Sequence, residues 1–282
     1  MYNFPIGVLA ESFLLPLDEA LAKAAELGLK GVQIYATKGA QAPENMTDEN
    51  RKELLKKIKD KGLVVSALCG DMGKGFSDPA LNPELIEKSR RILDLAADLE
   101  TNIVTTHIGV VPENKDHPRY HIMQDACGEL AEYADSLGAH FAIETGPERA
   151  VTLKGFLDGL YSRGVAVNLD PANFVMVTGD DPVKAVHTLK DYIVHTHAKD
   201  GRKLLDRDPE IIYGIVHDVI VEDEAFIELP LGKGDVDFPA YLKALEDIGY
   251  RGFLTIEREV GDDPAGDIIL ARDFLNDIIS RN

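Results

Sequence analysis

Residues 138–170 read GAHFAIETGPERAVTLKGFLDGLYSRGVAVNLD and contain the clearest indication of how the chain folds. An apolar run at 140–145 is followed by an amphipathic stretch at 152–162 and then by a second apolar run at 166–169. Short and nearly continuous apolar runs are typical of strands in a parallel sheet that is covered on both faces. The stretch therefore predicts a strand, a helix and a second strand parallel to the first.

The same alternation continues along the whole chain of 282 residues. Apolar runs predict eight strands, at 6–10, 31–36, 63–69, 102–108, 140–145, 166–169, 193–197 and 252–256. Amphipathic stretches predict eight helices, at 17–27, 48–61, 83–99, 119–137, 152–162, 181–190, 238–248 and 264–279. Alternating units of this number and length indicate an α/β chain folded as a closed (β/α)8 TIM barrel, a single domain over residues 1–282. An open doubly wound sheet is the alternative, but the turn after the first strand lacks the glycine pattern of that fold.

Five glycines follow predicted helices: Gly28, Gly62, Gly138, Gly164 and Gly249. The position just after the last turn of a helix favours a left-handed backbone, which glycine adopts at the least steric cost. We therefore expect each of these glycines to end a helix and lead into the next strand.

The predicted alternation is interrupted between the seventh strand and the seventh helix, where residues 200–236 form a long insertion. Long loops in compact domains are usually functional or disordered. Apolar runs at 211–213 and 219–221 favour an ordered segment, such as a hairpin. Because the insertion follows a strand, it lies at the C-terminal face of the barrel, where barrel enzymes have their active sites.

The charge and cysteine content exclude several classes of partner. The chain has 30 basic and 49 acidic residues, a net charge of −19. Nucleic acids and anionic membrane surfaces are bound through Lys and Arg, so we expect neither as a partner. No run of 18 uncharged apolar residues is present, which predicts no membrane-spanning helix. The two cysteines, Cys69 and Cys127, form no disulfide framework or C-x-x-C motif, and free thiols fit a cytoplasmic protein.

Polar side chains lie at the C-terminal ends of four consecutive predicted strands. They are Glu144, Asp170, His197 and Glu257. Taken singly, each of them could be an ordinary strand-end residue or a helix cap. At one height in a barrel, three carboxylates and an imidazole would repel one another without a cation. Such a donor set suits a hard or borderline divalent ion, namely Mn²⁺, Mg²⁺ or Co²⁺, with Zn²⁺ also possible.

The strand ends resemble those of the xylose isomerase-like sugar phosphate isomerases and epimerases. The segments that carry the resemblance are IETG at 143–146, NLDPAN at 168–173, HTHAKD at 195–200, LGKGDVDF at 231–238 and LTIERE at 254–259. The resemblance implies a (β/α)8 barrel with one divalent metal ion, commonly Mn²⁺, at its mouth. It assigns the metal to Glu144, Asp170, His197 and Glu257, and it implies a small-molecule sugar or sugar phosphate as substrate.

Two positions depart from the pattern of this family. Many members have His three residues after the metal-binding Asp, where this chain has Asn173, which we expect to contact the substrate. Many members also have Glu on the second strand, where this chain has Gln33, so an acidic role is not expected there.

Three further residues are candidates for substrate binding. His107 ends the fourth strand, and the cations Lys199 and Arg202 follow the seventh strand, where they could hold a phosphate or a sugar hydroxyl or form surface ion pairs. His195 points the same way as His197 because strand residues two apart share a face. We expect His195 to lie one layer deeper, in the core.

The resemblance implies an isomerase that works by proton transfer through an enediolate. Glu144 and Glu257 are the expected acid–base pair, one removing a proton beside a carbonyl and the other returning one. A lyase of the same fold, such as an inosose or dehydroshikimate dehydratase, would use the same groups, and the sequence barely separates the two. An apurinic-site endonuclease is disfavoured by Asn173 and by the charge. A barrel that binds a sugar or a partner without catalysis is a further alternative. The chain could also form a homo-oligomer.

Overall fold

The computed structural model describes residues 2–216 and 223–281, in which strands alternate with helices. The strands are β1 (Ile6–Leu9), β2 (Gly31–Tyr35), β3 (Val64–Cys69), β4 (Ile103–Thr106), β5 (His140–Glu144), β6 (Val165–Leu169), β7 (Ile193–Ala198), β8 (Asp200–Lys203), β9 (Phe226–Leu229) and β10 (Leu254–Ile256). The helices are α1 (Leu17–Glu26), α2 (Asp48–Asp60), α3 (Asn82–Asp98), α4 (Pro118–Leu137), α5 (Ala150–Asp158), α6 (Pro171–Asn173), α7 (Pro182–Leu189), α8 (Pro209–Ile212), α9 (Phe238–Asp247) and α10 (Pro264–Arg281).

Strands β1 to β7 and β10 form a closed parallel barrel in the order β1-β10-β7-β6-β5-β4-β3-β2. The last barrel strand closes the sheet, because β10 pairs with β1 on one side and with β7 on the other. The predicted (β/α)8 barrel is therefore confirmed. All eight predicted strands and all eight predicted helices are present, and their bounds differ by a few residues, most at α5.

The helices cover the barrel through one apolar face each. Leu21 of α1, Leu93 of α3, Leu130 of α4 and Leu245 of α9 are completely buried against the strands. Burial of one such side chain stabilises the fold by about 1.5–3 kcal/mol. Within the described ranges, no helix is long and apolar enough to cross a membrane.

Four of the five predicted helix-ending glycines have a left-handed backbone. Their φ angles are 73° for Gly28, 72° for Gly62, 64° for Gly138 and 77° for Gly249. The prediction is wrong for Gly164, because α5 already ends at Asp158 and Gly164 has no positive φ. A Cβ at position 164 would lie 2.0 Å from the carbonyl oxygen of Ala131. Glycine is required there by the close approach of the backbone to α4.

The chain between β7 and α9 contains an antiparallel ribbon in which β8 pairs with β9. The predicted apolar run at 211–213 is not a hairpin strand, because Ile211 and Ile212 belong to helix α8. This helix forms because the Asp208 side chain accepts a hydrogen bond from the Glu210 N–H at 2.9 Å and Pro209 starts the first turn. The predicted run at 219–221 lies outside the described residues.

The glycine-rich segment 231–236 folds around the carboxylate of Asp200, which is 1% exposed. Four backbone N–H groups donate to this carboxylate, at 2.9 Å from Gly201, Gly232 and Gly234 and at 3.2 Å from Val236. Converging backbone N–H groups form a nest that binds anions. Here the anion is a side chain of the chain itself, so the segment has a fixed place beside the mouth of the barrel.

We expect Gly234→Ala to destabilise the protein by about 2–4 kcal/mol, because overpacking and lost buried hydrogen bonds add up at this site. A Cβ at position 234 would lie 2.1 Å from Oδ1 of Asp200 and 2.5 Å from the Gly201 nitrogen, so the nest must open. The free energy of unfolding in urea measures the effect. Gly128→Ala in α4 is the matched control, since the nearest atom would be 3.9 Å away. The free energy of unfolding of this control should rise by about 0.5–1 kcal/mol. Equal unfolding midpoints for the two variants would contradict the prediction.

Candidate metal centre at the mouth of the barrel

Glu144, Asp170, His197 and Glu257 converge at the C-terminal end of the barrel. Glu144 ends β5 and His197 lies next to the end of β7, whereas Asp170 and Glu257 directly follow β6 and β10. Their potential ligand atoms all lie within 4.8 Å of one another, and all four residues are buried. In the part of the chain that the structure describes, this is the one group of three or more His, Cys, Asp and Glu residues so placed.

The Nδ1 atom of His197 lies at the centre of this cluster. It is 3.0 Å from Oε2 of Glu257, 3.5 Å from Oδ2 of Asp170 and 3.6 Å from Oε1 of Glu144. Among the residues that the structure describes, His197 Nδ1 and Asp170 Oδ2 are buried and have no hydrogen-bond partner. Buried polar atoms are normally paired, because an unpaired one costs free energy. A cation between them would supply the missing partner, so these residues fit a divalent ion.

The electrostatics of the cluster favour a positive charge at its centre. Burial alone would lower the pKa of His197, but the charges of Glu257 and Glu144 raise it well above its ordinary value. Burial opposes the ionisation of Glu144, yet the charges of His107 and His197 lower its pKa. The pKa of Glu257 is lowered against burial in the same way by His197 and Lys199. Glu144 and Glu257 are therefore ionised, and together with Asp170 they could hold a metal ion in place of the His197 proton.

The two carboxylate oxygens of Asp170 have different surroundings. Oδ1 accepts a hydrogen bond from the Asn173 N–H at 2.9 Å and so caps α6. The backbone of Asp170 is held by Thr145, whose Oγ1 accepts from the Asp170 N–H at 2.8 Å and donates to the Asp170 carbonyl at 3.1 Å. Oδ2 remains directed towards His197. The side chain is thus a helix cap through one oxygen and a candidate metal ligand through the other.

Three of the four residues that we expect to bind substrate lie beside the cluster. Nδ2 of Asn173 donates to Oε1 of Glu144 at 3.2 Å, and Nε2 of His107 lies 3.6 Å from the same oxygen. Nζ of Lys199 lies 3.3 Å from Oε2 of Glu257. The surroundings of Lys199 are acidic, because Glu228 and Glu259 also pair with it.

Arg202 is the fourth of these residues, and the structure does not bring it to the cluster. Its half-exposed side chain forms an ion pair with Asp235, with Nε of Arg202 at 2.9 Å from Oδ1. Among the described residues, no hydrogen bond or ion pair joins Arg202 to a candidate metal ligand.

The two histidines of β7 have different surroundings. His195 is buried, and its Nε2 lies 2.9 Å from Oγ1 of Thr255. Burial, together with the charge of His197, lowers the pKa of His195 to about 3. His195 is therefore a neutral, hydrogen-bonded core residue.

Three residues near the cluster are missing from the sequence-based interpretation. Asn168 lies two residues before Asp170 and therefore faces the same side of β6, so the alternation of strand residues was a usable signal. Its Nδ2 donates to Oε2 of Glu144 at 3.2 Å. Asp71 follows β3, and its Oδ2 lies 3.1 Å from Nδ1 of His107.

Tyr213 is the third missed residue, and it comes from the segment between β8 and β9. Its ring centroid lies 5.9 Å from that of His107. Its hydroxyl oxygen would lie 3.2 Å from a Cβ at position 146. No local pattern places this side chain at the mouth, because its position depends on how the segment folds back over the barrel.

Glu148 is a buried carboxyl group close to the mouth. It lines a cavity of about 360 Å³ together with Lys203 and Glu210. Its Oε2 accepts a hydrogen bond from the Val111 N–H at 3.2 Å. Burial raises the pKa of Glu148 to about 8, although this hydrogen bond acts in the opposite direction.

Because the folded pKa of Glu148 lies above its unfolded value, we expect this group to reduce stability as pH rises from about 4.5 to about 8. Glu148→Gln removes the cost of burying a carboxylate. The variant should match wild type at pH 5 and exceed it at pH 9 by an amount on the order of a few kcal/mol. Urea unfolding at the two pH values measures the difference, and an equal deficit of the variant at both would contradict the prediction.

The chain is similar to known proteins over most of its length. A model of the family described as xylose isomerase-like TIM barrel matches residues 21–278. An uncharacterized protein of Methanocaldococcus jannaschii, MJ1311, is 21% identical over 199 residues, which cover 70% of this chain. The match spans only 64% of the length of that relative.

Solved structures share the fold over nearly the whole chain. A xylose isomerase domain protein from Planctomyces limnophilus is 26% identical with a TM-score of 0.81, covering 99% of this chain and 98% of that one. An L-ribulose 3-epimerase is 18% identical with a TM-score of 0.73, covering 99% of this chain and 95% of that one. At 18% identity, the similarity to the L-ribulose 3-epimerase shows a shared fold.

Proposed function

Because the chain belongs to the xylose isomerase-like TIM barrel family, we propose that it is a sugar isomerase or epimerase that works with one divalent ion. The observation that carries the proposal is the buried cluster of Glu144, Asp170, His197 and Glu257 at the barrel mouth. Three oxygen donors and one nitrogen suit Mn²⁺ best, and Mg²⁺, Co²⁺ and Zn²⁺ fit the same set. The epimerase among the structures of this fold supports the isomerase class.

The bound ion would supply a Lewis acid that stabilises negative charge on two adjacent substrate oxygens, so that the neighbouring C–H becomes acidic enough for a weakly basic carboxylate. The residues that would hold it are those of the cluster. Within the described part of the chain, His197 Nδ1 and Asp170 Oδ2 form no hydrogen bond, so an ion bound there would replace only the ion pairs between His197 and the three carboxylates.

We assign the proton transfers to Glu144 and Glu257. They come from β5 and β10, which β6 and β7 separate in the barrel, so the two carboxylates approach the centre from different sides. One removes a proton from the carbon beside the carbonyl, which gives an enediolate. Return of a proton to the opposite face of that carbon is epimerisation, and return to the adjacent carbon is isomerisation.

Each of the two carboxylates has its own polar neighbours. Glu144 accepts hydrogen bonds from Asn168 and Asn173 at 3.2 Å each. Glu257 lies 3.3 Å from the Lys199 ammonium group. These neighbours hold the carboxylates in place. A small polyhydroxylated substrate would bind at the mouth, with its hydroxyl groups contacting His107, Asn173 and Lys199.

Proton exchange with solvent tests the proposal. The protein is stripped with a chelator, reloaded with Mn²⁺ and incubated with a panel of ketopentoses, ketohexoses and their phosphates in deuterated water. We expect deuterium beside the carbonyl and a product isomeric with the substrate. A product that has lost one water would indicate a dehydratase instead. Absence of exchange from every member of the panel, with metal bound, would contradict the proposal.

A further inference from the structure

Two amide side chains contact the imidazole of His197 on the edge that faces away from the three carboxylates. Oε1 of Gln33 lies 2.9 Å from Nε2 of His197, and Nδ2 of Asn168 lies 3.3 Å from the same nitrogen. Gln33 and His197 are each 1% exposed and Asn168 is completely buried. Gln33 reaches His197 across the barrel interior, since β2 and β7 are not neighbours.

Both amides stand where the barrel sheet is irregular. The register of the β2–β3 pairing shifts between Val32 and Gln33, and that of the β6–β7 pairing shifts between Val167 and Asn168. Among the described pairings of the barrel, these are the two register shifts. Such irregularities re-aim a side chain and are over-represented beside active sites. In each case the residue after the shift is the one that contacts His197.

The hydrogen bonds of Gln33 determine which end of its amide faces the histidine. Its Nε2 donates to Oγ1 of Thr105 at 2.8 Å, and this hydroxyl can donate onward to the Leu68 carbonyl at 3.5 Å. With the NH₂ group directed to Thr105, the carbonyl oxygen of Gln33 faces His197 and accepts a hydrogen bond from Nε2–H. A neutral imidazole with its proton on Nε2 has its lone pair on Nδ1, the atom at the centre of the cluster.

We propose that Gln33 is a positioning residue that fixes His197 in the tautomer able to bind a metal ion through Nδ1. The partner of the second imidazole nitrogen commonly sets the orientation and the basicity of a metal-binding histidine. A protonated Nε2 cannot accept a hydrogen bond from Asn168. The Nδ2 group of Asn168 instead donates to Oε2 of Glu144 at 3.2 Å. A Gln accepts from His197 and donates to Thr105 without adding a fourth buried negative charge, which a Glu would bring.

Metal affinity tests the proposal without any assay of turnover. We expect Gln33→Leu to weaken the binding of Zn²⁺ and Mn²⁺ to the metal-free protein by about 10–100-fold in calorimetric titrations. Gln33→Glu keeps an acceptor for Nε2–H and should restore most of that affinity. Gln124→Leu is the matched control, since Gln124 lies in α4 and donates to the Phe156 carbonyl outside the barrel. Affinity of Gln33→Leu within twofold of wild type would overturn the proposal.

The tautomer itself is measured on the wild-type protein, which keeps the proposal testable even where Gln33→Leu does not fold. Nitrogen-15 NMR of the Zn²⁺-loaded protein with labelled histidine should show His197 protonated at Nε2 and coordinated through Nδ1. Coordination through Nε2, with the proton on Nδ1, would overturn the proposal. A purely structural role of Gln33 in packing would change stability but would not select a tautomer.

Discussion

Replacement of Glu144 or Glu257 by Gln should abolish proton exchange, with a loss in kcat on the order of 10²–10⁴-fold for each variant. An amide cannot take up the proton of the substrate carbon, although it occupies the same space. Both residues are buried at the mouth, with 6% and 7% exposure, so solvent cannot easily replace the missing base. Deuterium incorporation into a substrate found in the ketose screen measures the effect.

Because both residues are also candidate ligands, the measurement needs a control for metal content. The loss should persist at Mn²⁺ concentrations that saturate each variant, as determined by metal analysis of the assayed protein. Glu129→Gln on the outer face of α4 is a matched change far from the mouth, where Glu129 pairs with Arg90. Wild-type rates in both Glu144→Gln and Glu257→Gln would rule out the assigned acid–base pair.

The second large effect is expected for Asp170→Asn, which should remove the response of the protein to metal. The variant keeps an oxygen to cap α6, but it loses the negative oxygen that faces His197 at 3.5 Å. For wild type, Mn²⁺ at about 100 times its dissociation constant adds about 2.7 kcal/mol of stability. That corresponds to a rise in Tm of roughly 5–10 °C for a chain of this size. The Tm of Asp170→Asn should hardly change when Mn²⁺ is added.

Without metal, wild type should have no advantage in stability over Asp170→Asn. Asp170 is completely buried beside the carboxyl groups of Glu144 and Glu257, and like charges held together without a cation repel one another. Metal-free Asp170→Asn should therefore be at least as stable as metal-free wild type. Thermal unfolding with chelator or with Mn²⁺ measures both effects, and Asp125→Asn on the exposed face of α4 is the control. A Mn²⁺-dependent rise of wild-type size in Asp170→Asn would show that the ion binds elsewhere.

The barrel was predictable because its signal is local and repeated. Each apolar run of strand length and each amphipathic stretch could be recognised within a few residues, and errors at their ends did not change the order of the elements. The end of α5 shows the limit of such local rules. The rule for helix ends predicts a terminator at Gly164, whereas glycine is required there because the carbonyl of Ala131 approaches closely. No sequence pattern around position 164 indicates this contact with α4.

The ribbon between β8 and β9 shows the same limit for the mouth of the barrel. Asp200 and the glycines at 232 and 234 are distant in sequence, and the structure alone shows that four backbone N–H groups donate to the one carboxylate. Tyr213 reaches His107 from this part of the chain. Neither contact follows from composition or periodicity.

The amino-acid pattern is sufficient to predict the barrel and the four residues that converge at its mouth. In a parallel barrel the C-terminal ends of all strands lie on one face, so a polar residue at each strand end is enough to predict that Glu144, Asp170, His197 and Glu257 meet. The role proposed for Gln33 follows from the three-dimensional arrangement alone. That role depends on the distance across the barrel between β2 and β7 and on a register shift beside position 33, and no pattern of neighbouring residues encodes either.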